Sequence, residues 1–284
     1  MIKNSKNQWD LVINPHRGWL NIDIVSLWKY RDLILLFVRR DLVSIHKQTI
    51  LGPLYFIITP IIATLISTLI FGKIAQLSTD GIPQFLFYMS GNLFWIYFST
   101  CLNAGKSIFS ANESLFSQVY FPRLTVPISQ AISAFIKLII QFILFAGFYY
   151  YFMTNGMESE LSFQTILIPL LLFQCSLLGI GTGILISSFT VKYKDLNFLY
   201  AFIVSLWMYI SPIVYPLSTL PKKWHYLISF NPMVGIVETA RQLLFGINSI
   251  ESTFILNGLI TTVVMLFIGL IIFNRVEKTF LDSV

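Results

Sequence analysis

Lys137 is the one charged side chain in an apolar run that extends from about Ile128 to Phe152. It lies about 14 Å into that run at 1.5 Å per helical residue. Gln130 stands seven residues before it and Gln141 four after it, on the same helical face. An ionisable group at such depth faces a protein interior or a wet cavity. Two roles are open for it: contact with a transported molecule, or a structural bond to carbonyls with the amine snorkelling to an interface. Bond-making groups are scarce by comparison. Cys101 and Cys175 sit within apolar runs without metal-ligand company and read as small packed hydrophobes. No G-x-x-x-x-G-K-[ST] nucleotide loop occurs. Gly179-Ile180-Gly181-Thr182-Gly183 is glycine-rich but has no following lysine and lies in an apolar run, so it reads as close helix packing.

The other stretch of interest is Lys106–Pro127, about twenty residues of mixed polarity between long apolar runs. Ser110, Asn112 and Ser114 are good N-cap residues, and Glu113 suits the first turn of a helix that follows. Leu115, Phe116 and Val119 repeat at helical spacing, Pro122 stops the helix, and Arg123 precedes the next apolar run. A short amphipathic helix held between two spans is a surface that a partner protein can push. An ordinary loop with one helical turn fits the same residues.

The elements that must position these groups follow from composition. The 284 residues are 56% hydrophobic, 16% aromatic and only 11% charged, with a mean hydropathy of +0.74. Weakly charged runs of roughly 18 residues or more are transmembrane helices, and no water-soluble core needs so much apolar surface. Residues 1–30 lack the order of a cleavable signal peptide. The net charge of +6 suits basic cytoplasmic loops, so nucleic acid need not be invoked.

Along the chain, residues 1–23 are expected to be an irregular cytoplasmic lead-in. Ile24, Leu27, Trp28, Leu35, Val38, Leu42 and Ile45 then mark an amphipathic helix lying in the membrane interface. The division is therefore residues 1–50 as lead-in and interfacial helix, and 51–284 as transmembrane domain. Gly52 and Pro53 break the interfacial helix. Six spans are expected at about Leu54–Phe71, with a kink at Pro60, Phe85–Leu102, Ile128–Phe152, Phe163–Phe189, Leu196–Tyr215 and Phe254–Phe273. Between the last two, Pro212, Pro216, Pro221 and Pro232 cut Ser211–Gly246 into pieces too short to cross. Two re-entrant helices are expected there, about Lys222–Phe230 and Met233–Phe245, with Glu238 and Arg241 three apart and able to pair. One further full span is the alternative. With six spans and both termini cytoplasmic, the inside segments carry most of the lysines and arginines, and the outside segments only Lys73, Lys222, Lys223 and Arg241. That orientation places Lys106–Pro127 in the cytoplasm.

Six motifs then occur in order: Tyr30-Arg31-Asp32-Leu33; Lys47-Gln48-Thr49 with Leu51-Gly52; Val119-Tyr120-Phe121-Pro122-Arg123; Tyr193-Lys194-Asp195; Ser211-Pro212-Ile213-Val214-Tyr215-Pro216; and Asn231-Pro232-Met233. From about residue 24 to the C-terminus the chain resembles the membrane subunit of ATP-binding-cassette exporters of lipid-linked polysaccharide, such as O-antigen, capsule and teichoic acid. Tyr55, where many relatives have tryptophan, and Lys194, where arginine is commoner, depart mildly. The resemblance implies an all-α integral membrane protein in the bacterial inner membrane, acting as a homodimer with two copies of a separate ATPase. It implies no enzyme activity and no cofactor in this chain, with ATP and Mg in the partner. Lys106–Pro127 then holds the coupling helix, with Leu115, Phe116, Val119 and Arg123 as the residues meeting the ATPase.

A lipid-linked glycan, most simply O-antigen on a polyprenyl diphosphate, asks for aromatic faces for its sugars and positive charge for its diphosphate. The candidates for the first are Phe87, Tyr88, Phe94, Trp95 and Phe98 on the second span, with Tyr200 and Trp207 on the fifth. Phe87 and Phe94, like Tyr88 and Trp95, are seven apart and share a face. Lys137 is the buried cation of the set. Arg39, Arg40 and Lys47 are the diphosphate candidates at the cytoplasmic entrance, with anionic headgroups as their alternative ligands. A permease for a drug or small glycolipid is the alternative within transport. A polyprenyl-phosphate glycosyltransferase is disfavoured for want of an aspartate pair near the membrane face, and a proton-driven transporter for want of acids inside the spans.

Overall fold

The structure is a computed structural model that describes residues 24–48, 52–109, 111–112, 118–119, 121–157, 163–190, 193, 195–246 and 250–283. All the regular structure among them is helical. The amphipathic stretch forms two helices, α1 (Ile24–Lys29) and α2 (Arg31–Gln48), divided at Tyr30. Next come α3 (Tyr55–Ser67), α4 (Gln84–Lys106), α5 (Thr125–Thr154), α6 (Ile168–Thr190) and α7 (Leu196–Ile210). The last three are α8 (Lys222–Ile228), α9 (Pro232–Phe245) and α10 (Ser252–Ser283).

Among the described residues, five helical stretches are long and apolar enough to cross a membrane: Tyr55–Ile74, Gln84–Lys106, Thr125–Thr154, Gln164–Thr190 and Ser252–Val276. The first outruns its expected end because a π-helical turn, Thr68–Ile74, continues α3. Pro60 lies inside α3 as expected. α7 is shorter than the expected fifth span. It has 15 residues, about 22 Å at 1.5 Å each, against a hydrocarbon thickness of about 30 Å. It ends at Ile210 because Ser211 turns extended, at ψ 149°, as residues before a proline do.

The proline-rich segment holds two short helices close to the expected positions. Asn231 caps α9, its side chain accepting from the Met233 N–H at 3.1 Å. Gly246, at φ +68°, ends the helix in a left-handed turn.

Glycine sets the helix spacing. A methyl group on Gly183 would collide with the carbonyl oxygen of Leu102, and one on Gly179 would come within 2.7 Å of Cys101 Cβ. One on Gly181 would lie 2.7 Å from Leu266 Cα, and one on Gly269 2.5 Å from the Gly181 carbonyl oxygen. The glycine run of α6 therefore touches α4 on one face and α10 on the other, backbone against backbone. α4 ends up buried along most of its length, while α3 and α10 keep broad exposed apolar faces.

Two cores result. The larger gathers α4, α5, α6 and α9 around Leu86, Phe94, Phe98, Cys175, Leu178 and Ile236. The smaller lies at the α2 end of the bundle, where Phe37 of α2, Ile108, Phe109 and Phe121 of the α4–α5 connection, Ile184 of α6 and Phe273 of α10 meet.

Candidate functional site

The aromatic set on α4 packs inside the chain. Phe87, Tyr88, Phe94 and Phe98 are at most 1% exposed and Trp95 is 7% exposed. Tyr88 lies edge-on to Phe87, Phe94 to Phe142, and Phe98 packs tilted against Trp95 at 5.3 Å and edge-on against Trp207 at 5.0 Å. Such pairs stabilise a core beyond their buried area. Within this chain these five rings belong to the larger core and hold α4 in place. Seven-residue spacing puts them on shared faces, but those faces are buried, and the α4 residues that line cavities include Tyr97 and Asn103.

Tyr200 and Trp207 are tied by hydrogen bonds. The Tyr200 hydroxyl donates to Asn103 Oδ1 at 2.8 Å, and Lys106 Nζ lies 4.2 Å over its ring. The Trp207 indole donates to Asn231 Oδ1 at 2.9 Å, and Asn231 donates in turn to Ser211 Oγ at 3.0 Å. These contacts fasten both ends of α7, which otherwise shows Phe198, Phe202 and Tyr209 outward.

Lys137 stands where the sequence expected a wet cavity. It lines one cavity with Asp41 and Ser44 of α2, Asn103 and Ser107 at the end of α4, and Gln130 and Ser133 of α5. It also lines a second of about 230 Å³ with Tyr55, Phe56, Thr59, Tyr97 and Gln141. The expected shared face of Gln130, Lys137 and Gln141 is thus present. Gln141 donates to the Phe56 carbonyl at 3.4 Å. The Lys137 amine lies 5.4 Å over the Phe56 ring, and among the described residues it has no ion pair. Asp41 accepts from Arg40 instead, at 3.0 Å.

Of the three entrance cations, Arg39 and Arg40 are exposed on α2. Arg40 is engaged by Asp41 and lies 4.8 Å over Phe37. The side chain of Lys47 lies outside the described residues, as do Leu115 and Phe116. Val119 is exposed. Arg123 is buried at 6% exposure, with its guanidinium 5.8 Å over Phe109. It belongs to the smaller core, not to a docking surface, because its aliphatic stem and flat head fill the space beside Phe109.

From sequence, Arg241 is expected only to pair with Glu238. The pair forms, at 2.9 Å. The same guanidinium also donates to the carbonyls of Pro212, Ile213 and Phe87 and lies 3.6 Å over the Phe87 ring. Gly91 makes room for it, since a methyl there would stand 2.8 Å from Nη2. The signal in sequence was weak, because the accepting carbonyls come from residues far along the chain.

Fold and site together define a helical membrane protein with polar side chains gathered in cavities between its helices. Sequence comparison narrows this class. Residues 32–245 match the ABC-2 type transporter family, and the chain belongs to that family. It is 23% identical over 263 residues to the O-antigen export system permease protein RfbA of Myxococcus xanthus, covering 91% of this chain and 98% of that one. It is 24% identical to the Klebsiella pneumoniae protein of the same name, covering 88% and 94%. It is 26% identical over 240 residues to the polysialic acid transport protein KpsM of Escherichia coli, covering 82% of this chain and 89% of that one.

Proposed function

We propose that the chain is the membrane subunit of an ATP-driven exporter of lipid-linked polysaccharide, O-antigen on a polyprenyl diphosphate being the substrate that fits best. The observation that carries this reading is kinship along nearly the whole chain with O-antigen and polysialic acid permeases. The geometry agrees with it. A polar cavity reaches from the interfacial α2 towards the depth of the spans, and Val119 stands exposed next to a core that joins α2, α6 and α10.

In this reading the protein is a homodimer in the bacterial inner membrane, with two copies of an ATPase that bind ATP and Mg. α7, short as it is, is the fifth of six crossings, and both termini are cytoplasmic. α8 and α9 dip into the outer leaflet. The exposed apolar face of α7 meets the second copy, and the glycan passes between the two.

The test is reconstitution with the cognate ATPase in liposomes. Lipid-linked glycan should raise ATP hydrolysis, and loss of the permease in cells should leave glycan on the cytoplasmic face. Stimulation by amphiphilic drugs and none by lipid-linked glycan would overturn the reading.

A further inference from the structure

Asp41 of α2 and Lys137 of α5 line one cavity of about 340 Å³, each from one of two helices that pack together. Asp41 stands one turn from Phe37, on the face of α2 that turns inward. Phe37 is 5% exposed and packs edge-on against Phe121. The Asp41 side chain is accordingly only 22% exposed, against 52% for Arg40. Yet the cation that Asp41 holds is Arg40, its neighbour in sequence, through two nitrogens at 3.0 and 3.2 Å. An ion pair with a half-exposed partner stabilises little, because water serves either charge nearly as well. Arg40 also has the Phe37 ring, 4.8 Å away, to rest on.

The inner side of the cavity offers a carboxylate more. The Lys137 amine has the Phe56 ring beside it and, among the described residues, no ion pair. Ser133 lies one turn before Lys137 and lines the same cavity. It is 1% exposed, and its hydroxyl has no hydrogen-bond partner. A buried hydroxyl left unpaired and an ammonium inside a span are both costly. One carboxylate placed between them would relieve both. Among the described residues, Asp41 is the acid that lines this cavity.

We propose that Asp41 is a two-position counter-ion, exchanging Arg40 for Lys137 and Ser133, and that α2 shifts against α5 with each exchange. In the first position, the one seen here, no charge ties the two helices at this cavity. In the second, a buried ion pair ties them, and low dielectric strengthens it. Phe37, on the same face of α2, passes the shift to Phe121 in the connection between α4 and α5. The exchange itself stands apart from the exporter reading, which supplies only the force: a partner that presses on that connection.

The experiment uses the purified full-length chain in neutral detergent, carrying Ser44→Cys and Gln130→Cys, two positions that line the cavity from α2 and from α5. Cys101 and Cys175 stay in place, since both are buried. A short bifunctional thiol reagent reads how readily the two helices close on each other. Arg40→Gln releases Asp41 and should speed cross-linking about fivefold. Lys137→Met or Asp41→Asn, added to Arg40→Gln, should each abolish the gain, and Lys137→Arg should keep most of it. Asp41→Asn keeps the proposal testable if Lys137→Met does not fold. No gain in Arg40→Gln, or a gain that survives both added substitutions, would overturn the proposal. Neither export nor ATP hydrolysis is read, so that outcome leaves the exporter reading to its own assay.

Discussion

Arg241 and Glu238 form a buried ion pair one turn apart on α9, with Nη1 2.9 Å from Oε1, and the same guanidinium binds the turn after α7 and the backbone of α4. Removing it would leave a buried carboxylate and backbone carbonyls unpaired. Breaking such a pair from one side costs about 3–5 kcal/mol. Arg241→Met should therefore lower the thermal unfolding temperature sharply, or keep the protein from accumulating in membranes. Adding Glu238→Gln should recover part of that loss, because it removes the stranded charge.

Gly183→Ala puts a methyl group into the Leu102 carbonyl, and backbone cannot step aside as a side chain can. The α4–α6 contact should open, and membrane levels of the variant should collapse. Gly147→Ala is the control: a methyl there meets nothing within 4 Å, and it should change stability by about 1 kcal/mol or less, in the favourable direction. Equal behaviour of the two variants would refute the packing assignment.

Trp207→Phe keeps a ring against Phe98 but loses the bond to Asn231. The loss should be about 1 kcal/mol, visible as a modest drop in unfolding temperature with export retained.

Phe116→Ala should weaken copurification with the ATPase by about 2 kcal/mol or more, since apolar anchors dominate helix docking. Phe37→Ala should behave differently. Phe37 packs edge-on against Phe121 at 5.9 Å, inside the core behind that connection. Its loss should spare ATPase binding and lower the export obtained per ATP. Unchanged pull-down and normal export in Phe116→Ala would sink the docking assignment.

Cysteines at Lys222 and Ser283 should be labelled from opposite sides of the membrane. Labelling of both from outside would refute the six-crossing arrangement.

The helices were legible because hydrophobic run length and proline carry their own physics. The Gly179–Gly183 contact was legible because small residues in an apolar run serve close approach. The Glu238–Arg241 pair and the Gln130–Lys137–Gln141 face were legible because both are local to one helix. The burial of Phe87, Phe94 and Phe98 was not. Spacing tells which residues share a face, and only the neighbours tell whether that face is open. Nor could spacing reveal that Arg123 turns inward onto Phe109, or that Arg241 holds carbonyls of Pro212 and Phe87, since those partners are brought near only by the finished fold.

The glycine contacts joining α4, α6 and α10 have a mechanical consequence. Where backbones touch, no compressible layer of side chains lies between them, and a displacement at one end has nothing to squeeze before it reaches the other. The three helices form a shaft without backlash, footed at one end on the cluster of Phe37, Phe109, Ile184 and Phe273. Whatever gives way during a transport cycle must then be what is hung on that shaft by a few polar stitches: α7 by Tyr200 and Trp207, and the turn after it by Arg241.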